Sequence, residues 1–363
     1  MSRSYKTRKI MVGNVPVGGG SPVSIQSMTN SDTRNVSATL RQIRQLAKAG
    51  CEIIRIAVPD KTAAEKLREI VPGSPIPVIA DIHFDHRLAL LAIEAGVHGI
   101  RINPGNIGDE AGVRKIALSA GERKIPIRVG ANSGSLPREY QKKLKPGMPR
   151  IDEMLSDALV RSALGECRLL EGYGFRLIKV SLKSSSVPAT VMAYRKFAET
   201  SDYPLHIGIT EAGTFERGMI KSAVGIGTLL MEGIGDTIRV SLTADPVEEV
   251  RTGIMILECA GLRKAEPELV SCPTCGRTEI DLLGLTRKVE AEIARIRKSG
   301  AKIKLKKIAV MGCVVNGPGE ARDADIGIAG GKKGKAAVFR KGRMMGVYSE
   351  VGALDVLKKE LRK

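Results

Sequence analysis

Tryptophan is absent from the sequence, and aromatic residues make up only 3% of its 363 residues. Proteins that bind single-stranded nucleic acid without sequence preference stack the bases on aromatic side chains. The scarcity of such side chains argues against this class, and we expect no nucleic acid among the partners. It also means that the hydrophobic cores must be built from aliphatic side chains.

Long apolar runs are also missing. No segment approaches the ~20 apolar residues that a membrane-spanning helix needs. The N-terminal stretch MSRSYKTRKIMVGN is basic but contains no apolar segment of signal-peptide length. We therefore expect a cytoplasmic protein with no membrane partner. In that compartment the six cysteines indicate metal binding or catalysis rather than disulfides.

The net charge of the chain is +19, which indicates that the protein meets an acidic partner. Nucleic acid, an acidic small molecule and an acidic protein would each satisfy this charge. Composition alone does not choose among them, so the choice depends on where the basic residues lie.

Eight short segments share one pattern, with β-branched residues in the middle and Gly, Pro or Asn at the ends, as in β-strands. They span residues 22–28, 53–58, 77–83, 99–106, 126–132, 177–183, 205–210 and 237–243. Helical patterns lie between most of them, and several end at a glycine that could cap a helix. Eight strands alternating with helices over roughly 260 residues predict an N-terminal (β/α)8 TIM barrel. A doubly wound parallel sheet is the main alternative.

Alternate residues of a strand point to opposite faces, and these segments have one apolar and one polar face. In the second segment, for example, Ile54, Ile56 and Val58 oppose Arg55. We expect the polar face to line the barrel interior toward its C-terminal mouth, where the active sites of this fold lie. That face carries Arg55, Asp81, His83, Arg101, Asn103, Arg128, Asn132, Lys179, Ser181, Lys183, His206, Thr210, Arg239, Ser241 and Thr243.

The cations on this face need compensation. Removing each charge from water costs several kcal/mol after relaxation, unless an anion or another partner offsets the cost. The single carboxylate of Asp81 is not enough to compensate all of these cations. The pattern therefore predicts a ligand with more than one negative charge, most simply a phosphate or a diphosphate. The alternative is that single arginines bond backbone carbonyls or neighbouring acids at the barrel rim.

The pattern changes near Arg263, and the last ~100 residues predict a second, smaller α/β domain. The predicted domains therefore span 1–263 and 264–363. The second domain contains a CxxC pair, Cys272 and Cys275, and a third cysteine, Cys313, but no histidine. Four N or S ligands are usual for structural zinc, whereas a thioredoxin-type redox pair needs only the CxxC.

Iron–sulfur clusters are held by thiolates, usually four. Three thiolates would leave one iron for an oxygen ligand or a substrate. Glu320 follows Cys313 across the Gly-Pro-Gly turn of CVVNGPGE, and this turn could direct its carboxylate back toward the thiols. A zinc knuckle and a solvated turn carboxylate remain the alternatives for the CxxC and for Glu320. Cys51, Cys167 and Cys259 have apolar neighbours in the sequence, and we expect all three to be buried core thiols.

Five motifs together resemble one family. They are SMTNSDT, RINPGN, RVGANSGSL, SCPTCGR and GCVVNGPGE. The family is that of 4-hydroxy-3-methylbut-2-enyl diphosphate synthase, the iron–sulfur enzyme of the methylerythritol phosphate route to isoprenoids, in its short bacterial two-domain form. The resemblance covers nearly the whole chain, and its motifs are more specific than any compositional argument.

The resemblance implies a reaction and a cofactor. These enzymes convert 2-C-methyl-D-erythritol 2,4-cyclodiphosphate to 4-hydroxy-3-methylbut-2-enyl diphosphate by reductive ring opening and loss of water, using two electrons. The family carries a 4Fe–4S cluster on three cysteines and a glutamate, which by motif are Cys272, Cys275, Cys313 and Glu320. By motif the substrate contacts are Arg55, Arg101, Asn103, Arg128, Asn132, Lys179, His206, Arg239 and Ser241.

The resemblance also implies partners. Family members are homodimers in which the cluster domain of one subunit closes over the barrel of the other. No nicotinamide or flavin fingerprint follows a strand in this sequence, so the electrons must come from outside. The family uses flavodoxin or ferredoxin, and the basic stretch KKGK…RKGR, at 332–343, suits such an acidic donor. Besides Glu320, the candidates for catalytic proton handling are Asp81, His83 and Glu211, which the sequence does not rank.

Two other functions are compatible with parts of the sequence. One is a phosphate-binding barrel aldolase that forms a Schiff base on Lys179. The other is an RNA-binding protein with a zinc module, which the placement of the cations inside strands disfavours. A radical enzyme that uses S-adenosylmethionine is disfavoured because the CxxxCxxC spacing is missing. The insert at 133–175 predicts a basic loop and then a long amphipathic helix, either an ordinary barrel insertion or a lid.

Overall fold

The structure is a computed structural model that describes residues 6–363 except 104–106, 108, 138–139, 141, 143, 146, 265–266, 300, 314–318, 320–322 and 332–333. The chain divides into two compact units, Met1–Arg263 and Lys264–Lys363. No helix within the described ranges is both long enough and apolar enough to cross a membrane.

The larger unit is a barrel of eight parallel strands, which confirms the predicted (β/α)8 fold and excludes the doubly wound sheet. In chain order the strands are β3 (Ser24–Met28), β4 (Ile53–Val58), β5 (Val78–Ile82), β6 (Gly99–Ile102), β7 (Ile127–Asn132), β8 (Ile178–Lys183), β9 (His206–Ile207) and β10 (Thr237–Ile238). Their spatial order is β8-β7-β6-β5-β4-β3-β10-β9. A parallel bridge between Val180 and Leu205 joins β8 to the start of β9 and closes the ring.

Helices cover the outside of the barrel. They are α1 (Val36–Ala49), α2 (Lys61–Gly73), α3 (His86–Glu94), α4 (Glu110–Glu122), α5 (Ile151–Gly172), α6 (Val187–Thr200), α7 (Phe215–Met231) and α8 (Pro246–Cys259), with a short 3-10 turn at Ser133–Ser135. The predicted helix of the insert is thus α5. N-cap hydrogen bonds fix where several of these helices begin, because a side-chain oxygen of the N-cap residue accepts a backbone N–H of the first turn. Asp60 does so for α2, and Ser186 does so for α6.

The strand parity is as predicted. The outward residues of β4, among them Ile54, Ile56 and Val58, belong to one large core with the inner faces of the helices. Two inward residues at the strand starts, Ile53 and Ile79, instead form a separate apolar cluster. It includes a short N-terminal hairpin, β1 (Ile10–Val12) and β2 (Val15–Val17), which the sequence analysis did not predict. The hairpin therefore closes the N-terminal end of the barrel with aliphatic side chains.

The prediction of buried core thiols holds for two cysteines and fails for one. Cys51 and Cys167 are buried, and burial raises the pKa of the Cys51 thiol to about 12. Cys259 is exposed, so that prediction was wrong. The reason is helical periodicity, since residues four apart share a face. Cys259 lies four residues after the exposed Met255 on α8, whereas the buried Val250 and Leu257 lie on the opposite face.

The described part of the smaller unit contains a five-stranded mixed sheet and two long helices. Its elements are β11 (Glu268–Ser271), α9 (Leu282–Lys298), β12 (Lys307–Met311), β13 (Ile326–Gly331), β14 (Lys335–Arg340), β15 (Arg343–Ser349) and α10 (Glu350–Leu361). The strand order is β11-β12-β13-β14-β15, with the first three strands parallel and the last two antiparallel. An aliphatic core that includes Val289, Ile308, Val338 and Leu357 fixes both helices on the sheet.

Candidate functional site

The polar inner faces of the barrel strands converge on one interior region. Parallel pairing sets Asp81 beside Arg101, Arg101 beside Arg128, and Arg128 beside Lys179 on successive strands. All four of these residues are buried, and Arg55 is nearly so. Six basic side chains in this region are buried or take part in ion pairs with buried acids. They are Arg55, Arg101, Arg128, Lys179, Lys183 and Arg239. The barrel register therefore concentrates positive charge in its own interior.

Asp81 lies at the centre of an ion-pair network. Its carboxylate is 3.5 Å from Arg55 Nε and 3.3 Å from Arg101 Nη1. His83 Nε2 lies 3.6 Å from the same carboxylate and 2.8 Å from Arg101 Nη1. Burial by itself raises the pKa of Asp81, but the charges of the two arginines and the hydrogen bond with His83 outweigh it and hold that pKa well below its usual range. Asp81 is therefore a fixed anion at neutral pH.

Other interior donors have no hydrogen-bond acceptor within the described part of the chain. These are Arg128 Nε and Nη1, Lys179 Nζ, and the ring N–H of His206, neither of whose nitrogens has a hydrogen-bond partner there. Burial, followed by the charge of Arg128, lowers the pKa of Lys179 to about 7. Burial, followed by the charge of Lys183, lowers the pKa of His206 well below its usual value. Buried donors without acceptors are costly, so these groups fit an anionic ligand.

A carboxylate that the sequence analysis missed lies beside Arg239. Glu249 belongs to α8, yet it is buried and its Oε2 lies 3.6 Å from Arg239 Nη2. The same carboxylate accepts hydrogen bonds from Ser27 Oγ at 3.2 Å and from the Leu242 backbone N–H at 3.0 Å. Its signal in the sequence was an acid next to the apolar Val250 on the inner face of an amphipathic helix.

The structure also specifies a close approach at β9. A side chain at Gly208 would place its Cβ 2.3 Å from the Arg239 carbonyl oxygen and 2.8 Å from Lys183 Nζ. Glycine is therefore required there, because any Cβ would collide with the backbone carbonyl of Arg239. Burial, followed by the charge of Arg128, lowers the pKa of Lys183 well below its usual value. Lys183 was predicted on the polar face but not among the substrate contacts.

The remaining predicted site residues lie at the C-terminal ends of the strands. Asn103 is buried directly after β6, and Asn132 is the last residue of β7. Ser241 is half-buried after β10. Glu211 is exposed in the loop after β9, with a left-handed backbone at φ 51°. His83 is half-exposed. Of the three barrel candidates for proton handling, only His83 and Asp81 contact each other in the described structure.

Strand order in the smaller unit brings two of the predicted cysteine ligands to one edge of the sheet. Cys272 follows β11 directly, and Cys313 follows β12 after Gly312. These two strands are parallel neighbours, with Ser271 beside Val310. The Gly312 backbone N–H donates to Cys272 Sγ at 3.2 Å, as it would to a thiolate.

The third cysteine belongs to a loop that packs on the same edge. Cys275 is exposed, its N–H donates to Thr278 Oγ1 at 3.2 Å, and the Glu279 N–H donates to the Gly312 carbonyl at 3.1 Å. Thiols are the ligands that iron–sulfur clusters require, so the chemistry of this edge fits such a group. The predicted oxygen ligand Glu320 lies outside the described residues.

Among the residues that the structure describes, no group of three or more His, Cys, Asp or Glu side chains could hold a metal ion. A four-iron cluster binds each of its ligands through a different iron atom, so those ligands are spread more widely than the ligands of one ion. The zinc alternative therefore gains no support from the described thiols.

The basic stretch KKGK…RKGR is divided between the two ends of the sheet. Lys335 pairs with Ser349 at the end where the thiols lie, whereas Arg340 pairs with Arg343 at the opposite end. Lys332 and Lys333 lie outside the described residues. The antiparallel hairpin of β14 and β15 thus separates charges that are close in sequence.

The fold and these two sites define a TIM barrel with a cation-lined interior in the same chain as a thiol-bearing α/β domain. The description "GcpE TIM-barrel domain" matches residues 7–254, and "GcpE protein C-terminal domain" matches residues 268–363. The chain belongs to the GcpE family.

Close relatives carry a single name. A protein of Geobacter sulfurreducens, "4-hydroxy-3-methylbut-2-en-1-yl diphosphate synthase (flavodoxin)", is 55% identical over 99% of this chain and 98% of its own length. Proteins of the same name from Caldanaerobacter subterraneus and Clostridium acetobutylicum are each 53% identical, over 98% of this chain and 97% and 98% of their own lengths. The family resemblance seen in the sequence motifs is thereby confirmed.

Solved structures support the barrel alone. A dihydropteroate synthase of Yersinia pestis has a TM-score of 0.51 at 12% identity, over 70% of this chain and 98% of its own. At this identity the similarity shows a shared fold and nothing about the reaction.

Proposed function

We propose that this protein catalyses the reductive ring opening and dehydration of 2-C-methyl-D-erythritol 2,4-cyclodiphosphate to 4-hydroxy-3-methylbut-2-enyl diphosphate, in the cytoplasm. The relatives' name supports the product, and the interior of the barrel supports the substrate class. The observation that carries the proposal is the pair of buried cations, Arg128 and Lys179, with donors that have no acceptor within the described residues. A diphosphate supplies both the charge and the acceptor oxygens that these donors lack.

Each interior group has a distinct proposed role. Arg128, Lys179 and His206 bind phosphate oxygens, since their donors are directed to no protein acceptor in the described structure. Arg55 and Arg101 are held by Asp81, so their guanidinium groups are oriented before the substrate arrives, which lowers the entropic cost of binding. Asn103, Asn132, Arg239 and Ser241 complete the substrate contacts.

Asp81 has a depressed pKa and is unsuited to donate a proton at neutral pH, because it stays ionised. His83 contacts both Asp81 and Arg101 and remains half-exposed. We therefore favour His83 over Asp81 as a proton donor in the barrel, with Glu211 as the second candidate. A proton donor must reach the leaving oxygen directly or through one water.

We propose that Cys272, Cys275, Cys313 and Glu320 hold a 4Fe–4S cluster. When bound, such a cluster supplies electrons one at a time and a Lewis-acidic iron for the departing oxygen. The thiols need a reducing compartment to remain ligands, which agrees with the cytoplasm. The Gly312 N–H donates to Cys272 Sγ and so holds this sulfur in place at the end of its strand.

We further propose flavodoxin as the electron donor, since the relatives' name includes it, and a homodimer as the assembly. Iron and sulfide analysis of anaerobically purified protein tests the cofactor, and turnover of the cyclic diphosphate with reduced flavodoxin tests the reaction. Iron-free protein that still converts the cyclic diphosphate would refute the proposal. Trapping of Lys179 by borohydride with a carbonyl substrate would favour the aldolase instead.

A further inference from the structure

The wall of the barrel is interrupted between β8 and β9. The Val180 N–H donates to the Pro204 carbonyl at 2.9 Å, and the Thr210 N–H donates to the Ser184 carbonyl at 3.3 Å. These two bonds have the same parallel register as the bridge between Val180 and Leu205. In that register the Leu182 N–H should donate to the His206 carbonyl, because bonds in a parallel ladder recur every second residue.

A tyrosine hydroxyl occupies the place of that ladder bond. Tyr194 Oη accepts the Leu182 N–H at 3.0 Å and donates to the His206 carbonyl at 2.7 Å. Tyr194 comes from α6 and is completely buried. A direct bond would hold the two backbone groups about 2.9 Å apart. Insertion of an oxygen atom satisfies both groups while keeping the strands farther apart.

The inner face of this gap carries groups of the anion site. His206 lies there on β9, and Lys183 ends β8. Lys183 Nζ approaches the backbone so closely at Gly208 that a Cβ there would be only 2.8 Å away. The spacing of the two strands therefore controls where the His206 ring and the Lys183 ammonium lie.

We propose that Tyr194 is a positioning residue, whose hydroxyl separates β8 from β9 and thereby sets the place of His206 and Lys183 in the anion site. In its reference to a diphosphate the inference rests on the proposed function, but the strand spacing does not. Tyr194 itself does not contact the ligand, since its hydroxyl is engaged on both sides by the backbone. The residue acts through the barrel wall.

The test replaces one hydroxyl and keeps the ring. Tyr194→Phe is compared with Tyr203→Phe, which also removes a buried phenol but one whose hydrogen bond is to Glu171. The full-length, cluster-loaded protein is labelled with 15N-histidine. The chain has only four histidines, and His206→Asn identifies the signal of His206. The affinity for inorganic pyrophosphate is measured by calorimetry on the same samples.

We expect Tyr194→Phe to shift the His206 ring signals and to leave those of the other three histidines in place. We also expect it to weaken pyrophosphate binding roughly 3- to 10-fold, the equivalent of one neutral hydrogen bond. Tyr203→Phe should leave both quantities as in the wild type. An unshifted His206 signal in Tyr194→Phe overturns the inference, and so do equal shifts in both variants.

Two further outcomes remain decisive. If Tyr194→Phe does not fold, 3-fluorotyrosine is placed at position 194, which keeps the shape of the ring and changes only the hydrogen-bond strength of the hydroxyl. A shift of the His206 signal in that protein then supports the inference, and an unchanged signal overturns it. If the wild type does not bind pyrophosphate, the proposed diphosphate-binding role of the barrel interior fails, whereas the histidine signals still support or refute the role of Tyr194.

Discussion

The carboxylate of Glu249 lies 3.6 Å from the guanidinium of Arg239, although Glu249 belongs to an outer helix and Arg239 follows an inner strand. Both side chains are largely buried, with 6% and 17% of their surfaces exposed. The glutamate also accepts the Leu242 N–H, so it fixes the backbone after β10 together with the cation. One buried acid thus connects the helical layer to the proposed anion site.

Removal of the negative charge of Glu249 should lower the stability of the protein. We expect Glu249→Gln to destabilise the fold by about 1–3 kcal/mol, since it leaves a buried cation with less compensation. Glu248→Gln is the matched control, because Glu248 is the preceding residue and pairs with Arg251 at the surface. Urea unfolding of both variants measures the difference. Equal stability in the two variants would contradict the role assigned to Glu249.

Loss of an interior cation should weaken ligand binding without unfolding the barrel. Arg128 is 4% exposed and has two nitrogens with no acceptor among the described residues. Arg128→Met should therefore lower the affinity for pyrophosphate by at least roughly 10-fold, while the melting temperature stays the same or rises. Arg114→Met, on the exposed face of α4, is the control. A large fall in melting temperature for Arg128→Met would instead indicate a structural cation.

The affinity for pyrophosphate should depend on pH through Lys179. Its pKa is lowered to about 7, so the amine of the free protein loses its charge as pH rises through that value. An anion favours the charged form, so binding above pH 7 should take up a proton and weaken with rising pH. Calorimetry in buffers of different ionisation enthalpy measures the proton uptake on binding. The same measurement on Lys179→Met at each pH should lack the part of the proton uptake that belongs to Lys179.

The lowered pKa of Lys179 also makes the stability of the fold depend on pH. The unfolded chain keeps the lysine protonated to about pH 10.4, whereas the folded protein releases that proton near pH 7. The unfolded state thus binds more protons between these values, and the Lys179 contribution to stability rises with pH across this window. The difference in unfolding free energy between wild type and Lys179→Met should change in that direction between pH 7 and pH 9. A constant difference argues against a lowered pKa.

Gly208 should tolerate no side chain. In Gly208→Ala the new Cβ would meet the Arg239 carbonyl at 2.3 Å, and the backbone must move. We expect a loss of about 1–3 kcal/mol of stability together with weaker pyrophosphate binding. Gly172→Ala, where no heavy atom lies within 4 Å of the added Cβ, is the control and should show neither effect.

Iron binding should separate the six cysteines into two groups. Cys313→Ser should lose most of its iron and its near-visible absorption under anaerobic purification, because the proposed cluster loses a thiolate. Cys259→Ser should keep both, although Cys259 is exposed on α8. Glu320→Gln should retain part of the iron and lose turnover. If Cys313→Ser binds as much iron as Cys259→Ser, the ligand assignment is wrong.

The polar face of the barrel was predictable because strand parity is a local property. The alternation around Arg55, with Ile54 and Ile56 on the other face, needs no knowledge of the neighbouring strands. Glu249 and Tyr194 were not predictable, because each acts across elements distant in sequence. The exposure of Cys259 was mispredicted because apolar neighbours in sequence do not share a helix face.

The sequence alone determined the alternation of strands and helices, the polarity of each strand face and the motifs that identify the family. Only the tertiary structure decided which cations share an anion, which acid reaches them from a helix and which hydroxyl separates two strands. It also divided one basic stretch between two ends of a sheet. The physical reason is that periodicity and side-chain chemistry are local, whereas compensation of buried charge depends on distances that only the closed barrel sets.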